Sequence, residues 1–304
     1  MDTAGKSFYN HPVPGGNADI KSTPDAKRKR ADMNRENYTA NVVSIIMAAG
    51  RGSRMKGYTG SKTLLPLVPE NSTFDGSRPI LTHLMENLPP GPKALIVNHC
   101  QEAVRTVTGG TGAVYCEQPV LNGTGGAILA ADGFIAAQDK GHVIITMGDV
   151  PFVKQETYAS LVQGLEEDEL VILGFSPDDR KQYGMLEIEE GQVRKITEWK
   201  YWKDYPEEQQ RLLTVCNSGI YAIRRPVLAH YLPILASRPQ IVQKEVDGVL
   251  TEIKEFFFTD LIEFMVQDGR RVGYHVVADE TETMGIDDVA ALEKAQAIFA
   301  ASSG

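Results

Sequence analysis

Short apolar runs alternate with helical patterns along the first half of this 304-residue chain, and this alternation limits the folds that it can adopt. The apolar runs cover residues 42–47, 94–97, 113–116, 143–147 and 170–174, and the helical patterns cover 80–88, 101–107, 126–137 and 155–165. Strands that alternate with helices pair in parallel and carry helices on both faces of the sheet. We therefore predict an α/β fold with a Rossmann-like, mostly parallel twisted sheet.

The pattern changes after residue 178. Residues 184–193 resemble a hairpin that turns at Glu190-Gly191, and residues 215–223 resemble a further strand. Helices are predicted over 226–235, 259–267 and 289–301, with a late strand over 271–277. No hexapeptide repeat occurs, so no appended β-helix is expected. These features predict a small β-rich insertion in the α/β domain.

Residues 1–40 differ from the rest because they are rich in Gly, Pro, Asn, Asp and Lys. They predict a flexible tail before a domain that covers residues 41–304. The basic cluster at residues 27–30 is either a solvated part of this tail or a targeting or anion-binding patch. No signal-peptide core or run of transmembrane length is present, so we expect a cytoplasmic protein without a membrane partner.

Charge and cysteine content exclude several classes of function. The formal net charge is -9, so a nucleic-acid surface is not expected. Cys100, Cys116 and Cys216 lack metal-site spacing, and their odd number argues against a disulfide framework. Buried, reduced thiols in a reducing compartment are the expected state.

The first apolar run leads directly into a glycine-rich basic loop at residues 48–54, which Lys62 follows. Glycine lets the backbone approach a ligand closely, so several N–H groups of such a loop can reach phosphate oxygens. Arg51, Arg54 and Lys62 add the positive charge that a nucleoside triphosphate needs. The alternative is an ordinary turn between a strand and a helix with solvated basic side chains.

Two later segments follow predicted strands and should reach the same edge of the sheet. Residues 118–127 begin with Gln118, whose amide suits a base edge, and continue with Gly123, Gly125 and Gly126. These glycines either leave room for a ligand or permit a helix cap. Asp149, just after a buried strand, can hold a divalent cation or occupy a turn.

Four segments further along the chain carry polar groups whose individual roles stay open. They contain Tyr183-Gly184, Glu198-Trp199-Lys200, Asn217-Ser218-Gly219 and Gly285-Ile286-Asp287-Asp288. Asn217 suits a turn as well as a ligand, and Glu198 suits a solvated hairpin. Asp287 suits both the N-cap of the last helix and a metal site.

Together these segments resemble the sugar-1-phosphate nucleotidyltransferases, in particular the uridylyltransferase domain of bacterial N-acetylglucosamine-1-phosphate uridylyltransferases. The matches occur in the family's order over about residues 42–300, at 48–55, 118, 123–125, 148–151, 183–184, 198, 200, 217–219, 258–260 and 285–287. The resemblance implies a GT-A-like nucleotidyltransferase fold whose β-rich insertion binds the acceptor. It also implies transfer of a nucleoside monophosphate from UTP to a sugar 1-phosphate such as N-acetylglucosamine 1-phosphate, with Mg²⁺ as cofactor.

The resemblance also implies roles for individual residues. The nucleotide-binding residues would be Ala48, Ala49, Gly50, Arg51, Gly52, Gln118, Gly123 and Thr124. The catalytic residues would be Arg54, Lys62 and Asp149. The ligands of Mg²⁺ would be Asp149 and Asp287, and the sugar-binding residues would be Gly184, Glu198 and Asn217. Asp287 stands where the relatives carry asparagine, and Ser61 stands where a proline usually precedes the lysine.

Two other functions are compatible with the sequence. A cytidylyltransferase for phosphocholine or a polyol phosphate would share the loop and Asp149, and Trp199, Tyr201 and Trp202 would either bind a quaternary ammonium group or pack beneath the hairpin. A non-catalytic sensor would bind a nucleotide sugar without turnover. The sequence sets neither the sugar nor the oligomeric state.

Overall fold

A nine-stranded sheet forms the centre of the computed structural model, which describes residues 40–302 except 53, 247 and 248. The strands are β1 (Val42–Met47), β2 (Pro66–Ser72), β3 (Asp75–Pro79), β4 (Lys93–Val97), β5 (Val114–Glu117), β6 (His142–Met147), β7 (Leu170–Phe175), β8 (Met185–Glu189), β9 (Gln192–Thr197), β10 (Cys216–Arg224), β11 (Gln240–Val246), β12 (Val249–Glu255) and β13 (Val272–Val276). The order in the large sheet is β13-β7-β10-β6-β1-β4-β5, and β8 joins it by pairing with β10 and β9.

Most pairs along this order are parallel, as predicted. β1 pairs in parallel with β4 and β6, β4 with β5, and β7 with β13. β10 runs antiparallel between β6 and β7. The hairpin of β8 and β9 turns at Glu190-Gly191, as the sequence predicted, and attaches to the main sheet where β8 pairs with β10. The mixed α/β fold is therefore confirmed.

Helices cover both faces of the sheet. They are α1 (Ile80–Asn87), α2 (Gln101–Thr108), α3 (Gly123–Ala130), α4 (Asp132–Ala136), α5 (Gln155–Gly164), α6 (Trp199–Trp202), α7 (Glu207–Leu212), α8 (Arg225–Ser237), α9 (Phe258–Gln267) and α10 (Val289–Ser302). Alternate residues of β1 enter different cores, because side chains alternate across a strand. Val43 and Ile45 pack with α3, α8 and α9, whereas Val42 and Ile46 pack with α1, α2 and α5.

The structure corrects the helix predicted over residues 126–137. This segment forms two helices, α3 and α4, and the first begins at Gly123. The break is at the buried Ala131, whose N–H donates to the carbonyl of Ile128 at 2.9 Å. This three-residue spacing ends the α-helical ladder, and Ala131 then leads directly into α4.

Two hairpins that the sequence analysis did not predict pair outside the large sheet. β2 pairs with β3, where Pro66, Pro69 and Pro79 obscure the strand pattern. β11 pairs with β12 over their whole length, from Gln240 opposite Glu255 to Val246 opposite Val249. The β11–β12 hairpin is relevant to the candidate functional site, because residues at the end of this hairpin line that site.

All described residues belong to one compact unit, Asn37–Gly304. Residues 1–39 of the predicted tail, with the basic cluster at residues 27–30, lie outside the described residues, as does Ser53 of the glycine-rich loop. The predicted domain boundary therefore stays a prediction. Across the described part of the chain, the helices are too short or too polar to cross a membrane. Cys100, Cys116 and Cys216 are free thiols, and the last two are buried.

Candidate active site

The site lies at the carboxyl ends of two neighbouring parallel strands, β1 and β6. Met47 and Met147 are paired, and the N–H of Gly148 donates to the carbonyl of Met47 at 2.9 Å. The glycine-rich loop and Asp149 therefore leave the sheet side by side. Open α/β sheets bind ligands at this edge.

A small apolar core brings the far end of the chain to the same place. Ile286 is fully buried in one cluster with Met55, which lies at the end of the glycine-rich loop. The N–H of Ile286 also donates to the carbonyl of Asp149 at 3.0 Å. These contacts place Asp287 beside Arg54 and Asp149.

Lys62 lies between the two predicted metal ligands. Its Nζ forms ion pairs with Oδ2 of Asp149 and, at 3.0 Å, with Oδ1 of Asp287. Arg54 Nη2 donates to the same Oδ1 at 2.8 Å. Burial alone lowers the pKa of Lys62, but the charges and hydrogen bonds of Asp149 and Asp287 together outweigh it, so the pKa is raised. The ammonium group is therefore held in its charged form.

The capping role that the sequence left open for Asp287 belongs to its neighbour. The N–H of Ala291 donates to Oδ1 of Asp288 at 2.9 Å, and the N–H of Leu292 donates to the carbonyl of Asp288 at 3.0 Å. Asp288 is thus the N-cap of α10. The carboxylate of Asp287 instead faces Arg54 and Lys62.

The oxygen atoms at this point fit a divalent cation. Asp149 and Asp287 both contact one nitrogen atom, so their carboxylates converge on one position. Mg²⁺ prefers oxygen ligands and is commonly held by one or two carboxylates together with substrate phosphates. Within the described residues, no group of three or more His, Cys, Asp or Glu is placed to hold a metal. An Mg²⁺ ion held by two carboxylates would take further oxygen ligands from phosphate groups and water.

A cavity of about 450 Å³ adjoins the charged cluster. Gly50 of the first loop, Lys62 and Asp149 line it, together with Gln118 of the glycine segment. Three of the segments identified in the sequence therefore share one cavity. Arg51 is exposed and is not among the residues that line it.

Some residues of the first loop line this cavity and others do not. Ala49 lines it, whereas Ala48 is buried and donates its N–H to the carbonyl of Ile96, which extends the pairing of β1 with β4. Gly52 has φ +61°, and a Cβ there would lie 3.2 Å from Cβ of Lys62. Glycine at this position lets the stem of Lys62 pack against the loop.

Gln118 is held in one orientation by its neighbours. Its Nε2 donates to Oδ1 of Asn122 at 3.0 Å and to the carbonyl of Gly123 at 3.1 Å, and the residue is only 4% exposed. Both protons of the amide are thus engaged. The carbonyl oxygen Oε1 is the group that remains for a ligand in the cavity, and it can only accept a hydrogen bond.

The glycine segment is also required for packing. Gly123 has φ +93°, and a Cβ there would lie 2.4 Å from the carbonyl oxygen of Phe256, at the end of β12. The hydroxyl of Thr124 accepts a hydrogen bond from the N–H of Phe258 at 3.1 Å, at the start of α9. The small residues that the sequence assigned to ligand binding therefore also join α3 to the β11–β12 hairpin.

The three predicted sugar-binding residues are neighbours. The N–H of Asn217 donates to the carbonyl of Gly184 at 2.8 Å, and a Cβ at Gly184 would lie 3.4 Å from Oε2 of Glu198. Asn217 begins a bulge in β10, where its Oδ1 accepts from the N–H of Gly219 at 3.0 Å and its Nδ2 donates to the hydroxyl of Tyr221 at 3.0 Å. The side chain of Asn217 is thus fixed before any ligand binds.

A second cavity, of about 540 Å³, is lined by Glu198, whereas Gly184 and Asn217 are not among the residues that line it. Glu198, Trp199 and Tyr201 line it, and Phe257 lines both this cavity and the first one. Partial burial raises the pKa of Glu198, Lys200 opposes this shift, and Asp260 adds to it. The two cavities therefore adjoin at Phe257.

Comparison with known proteins identifies the family. The model of the MobA-like NTP transferase domain matches residues 44–235. The chain belongs to this family. Among curated proteins, the bifunctional protein GlmU of Novosphingobium aromaticivorans is 31% identical over 258 residues, and that of Ruegeria sp. strain TM1040 is 32% identical over 266 residues.

These alignments cover 83% and 84% of this chain but 51% and 52% of the relatives, so the chain spans about half the length of the curated relatives that it matches. A solved structure of uridine diphosphate N-acetylglucosamine pyrophosphorylase from Trypanosoma brucei matches with a TM-score of 0.68 at 12% identity. That match covers 90% of this chain and 70% of the other. It shows that the two share a fold.

Sequence reasoning assigned no role to several residues that line the two cavities. Glu255 and Phe257 line the first cavity, and Gln240 and Asp260 line the second. Gln240 Nε2 donates to Oδ1 and Oδ2 of Asp260, each at 2.8 Å. Gln240 and Glu255 are paired at the end of the β11–β12 hairpin, and Phe257 and Asp260 follow this hairpin in the chain. Residues 253–257 read Ile-Lys-Glu-Phe-Phe and do not alternate between apolar and polar, so no local pattern marked this segment.

Proposed function

We propose that this chain transfers a uridylyl group from UTP to a sugar 1-phosphate such as N-acetylglucosamine 1-phosphate and releases pyrophosphate. The observation that carries the proposal is the convergence of Asp149, Asp287 and Lys62 beside the cavity that Gln118 lines. The similarity to the GlmU proteins supports a sugar phosphate as the acceptor. Family membership supports a nucleoside triphosphate as the donor.

The residues of the charged cluster suit this transfer. An oxygen of the sugar phosphate attacks the α-phosphorus of UTP, and the bond from that phosphorus to pyrophosphate breaks. The attacking oxygen is already anionic, so no general base is needed. Lys62 and Arg54 would offset the negative charge that develops on pyrophosphate. Asp149 and Asp287 would hold Mg²⁺, which when bound polarises phosphoryl oxygens and brings the two anions together.

The orientation of Gln118 supports uracil as the base. Its NH₂ group is engaged by Asn122 and Gly123, so Oε1 offers only an acceptor to the cavity. This acceptor matches the N3–H of uracil, whereas N3 of cytosine is itself an acceptor and cytosine could pair only through its N4 amino group. Gly50 and Ala49 would lie along the nucleotide, and Gly184, Glu198 and Asn217 would bind the sugar.

A cytidylyltransferase for phosphocholine is the second candidate, because aromatic and acidic side chains line the acceptor cavity. The chain's own cations already lie on two of these rings, however. Lys200 Nζ is 4.7 Å from the ring centre of Tyr201, and Lys203 Nζ is 4.9 Å from that of Trp199. Trp202 is buried and donates its Nε1–H to the carbonyl of Tyr183. These contacts favour the sugar phosphate.

The test is pyrophosphate release with a panel of substrates. UTP, CTP, dTTP, ATP and GTP are each combined with N-acetylglucosamine 1-phosphate, glucose 1-phosphate or phosphocholine in the presence of Mg²⁺. We expect the highest kcat/KM for UTP with a sugar 1-phosphate. A preference for CTP with phosphocholine would replace the proposal with the second candidate, and release with no pair would indicate a non-catalytic nucleotide-sugar sensor.

A further inference from the structure

The position of Lys62 creates a conflict with its proposed role toward phosphate. Its Nζ is bound by Asp149 and Asp287, and its side chain is only 14% exposed. The same two carboxylates are the proposed ligands of the divalent cation. An ammonium group and a metal ion cannot occupy the same position between them, so Lys62 has to leave when the metal site fills.

A route for that movement is present in the structure. The stem of Lys62 packs against Gly52, where a Cβ would lie 3.2 to 3.3 Å from the Cβ, Cγ and Cδ atoms of the lysine. Lys62 also lines the cavity that contains Gly50 and Gln118. A flexible four-carbon side chain can therefore turn its ammonium group from the carboxylates toward phosphates in that cavity by rotation of its own bonds.

The charges around Lys62 determine whether its ammonium group contacts the two carboxylates or the phosphates. Among the protein's own groups, two carboxylates face Lys62 and Arg54, and their charges are balanced. A triphosphate adds several negative charges next to the same ammonium group, and a divalent cation adds two positive charges at the carboxylates. The triphosphate favours Lys62 away from the carboxylates, which is the position that the divalent cation requires. The cation in turn favours Lys62 near the phosphates, so the binding of the two ligands is coupled reciprocally.

We propose, resting on the proposed function, that Lys62 occupies the metal site in the nucleotide-free protein and exchanges its two carboxylates for phosphate when the nucleotide binds. The divalent cation then binds weakly alone and tightly with the nucleotide. Lys62 thus acts as a positioning residue before it acts on the leaving group. This exchange suppresses binding of a metal ion to the empty site.

The experiment is a titration of the nucleotide-free protein with Mn²⁺ alone, in which free Mn²⁺ is measured by electron paramagnetic resonance. We expect Lys62→Met to bind Mn²⁺ at least about tenfold more tightly than the wild type, since no ammonium group has to leave. Lys56→Met removes an exposed lysine of the same region and should leave the Mn²⁺ affinity unchanged. Adding Asp149→Asn to Lys62→Met should abolish the gain.

Equal Mn²⁺ affinity of the wild type and Lys62→Met would overturn the proposal, as would a gain that survives Asp149→Asn. Lys62→Gln keeps an N–H donor toward the carboxylates and takes the place of Lys62→Met if the latter does not fold. The titration contains no sugar phosphate and no nucleotide. An incorrect acceptor or base would therefore appear in the pyrophosphate assay and leave the Mn²⁺ result unchanged.

Discussion

Asp287 and Asp288 are adjacent acidic residues with different partners, and this difference can be measured. Asp287 contacts Arg54 and Lys62, whereas Asp288 caps α10. We expect Asp287→Ala to lower kcat by about 10²–10³-fold, because the metal ion that would offset transition-state charge loses one of its two carboxylate ligands. Asp288→Ala should keep kcat but lower the unfolding free energy by about 1 kcal/mol, the typical cost of losing an N-cap.

Steady-state kinetics and thermal unfolding of both variants provide the measurement. The assignment fails if Asp288→Ala loses as much activity as Asp287→Ala. It fails equally if both variants keep the turnover number of the wild type at saturating Mg²⁺.

Asn217 is proposed to bind the sugar, and it also makes a hydrogen bond that supports the fold. Its Nδ2 donates to the hydroxyl of Tyr221, a residue that is only 3% exposed. Asn217→Ala should raise KM for the sugar phosphate more than KM for UTP. It should also lower the unfolding free energy by about 1–3 kcal/mol, because a buried hydroxyl loses its partner. A rise in the KM for UTP alone would assign Asn217 to the nucleotide instead.

At the scale of elements, the contact between α3 and the end of β12 explains why the glycine segment needs its first glycine. Gly123→Ala would place a methyl group against the carbonyl of Phe256 at a positive φ. We expect a loss of about 1–3 kcal/mol in the unfolding free energy, the scale of backbone strain at one residue. Gly133→Ala in α4 is the matched control, since open space surrounds that position.

Thermal or denaturant unfolding of the two alanine variants measures this difference. Gly133→Ala should match or exceed the stability of the wild type, because alanine favours a helix over glycine. If Gly123→Ala is as stable as Gly133→Ala, the segment does not need its glycine for packing, and ligand contact would be the remaining reason for it.

The elements that the sequence predicted are those with strong local patterns. β1 and β6 are apolar on both faces, so their parallel pairing and the position of Asp149 after them follow from local residues. The β11–β12 hairpin was missed because it pairs outside the core and its strands are largely polar. Its contribution to both cavities through Phe257 depends on tertiary contacts that no local pattern contains.

Some roles of individual site residues could be predicted from the sequence, and others could not. The convergence of Arg54, Lys62, Asp149 and Asp287 was implied by the family resemblance, and the structure places these four residues in contact. The engagement of Gln118 by Asn122 and the capping of α9 by Thr124 were not foreseen. Both depend on side-chain orientations that only the folded backbone sets.

At the scale of the whole molecule, stability should fall on mild acidification. Burial lowers the pKa of His83, His142 and His275, and nearby Arg78 and Arg224 add to the shift at the first two. A lowered pKa means that the unfolded chain binds protons more readily. Stability is then complete above the unfolded pKa of about 6.5 and decreases as pH falls through that value toward the lower folded values.

Thermal unfolding between pH 7.5 and 5.5 checks this effect, and the melting temperature should decrease toward pH 5.5. His142→Gln removes one of the three titrating groups, so its melting temperature should decrease less over the same interval. An unchanged pH dependence in His142→Gln would show that this histidine does not contribute.

The fold joins a loop from residue 48 onward, a strand end in the middle of the chain and Asp287 near its far end at one charged cluster. The central claim is that this cluster holds a divalent cation beside a nucleotide. A crystal structure with UTP and Mn²⁺ tests it most directly, because the anomalous signal locates the metal. We expect one peak bound by both Asp149 and Asp287, with the triphosphate beside Gly50 and with Lys62 in contact with phosphate. A metal peak away from either carboxylate, or a nucleotide outside this cavity, would contradict it.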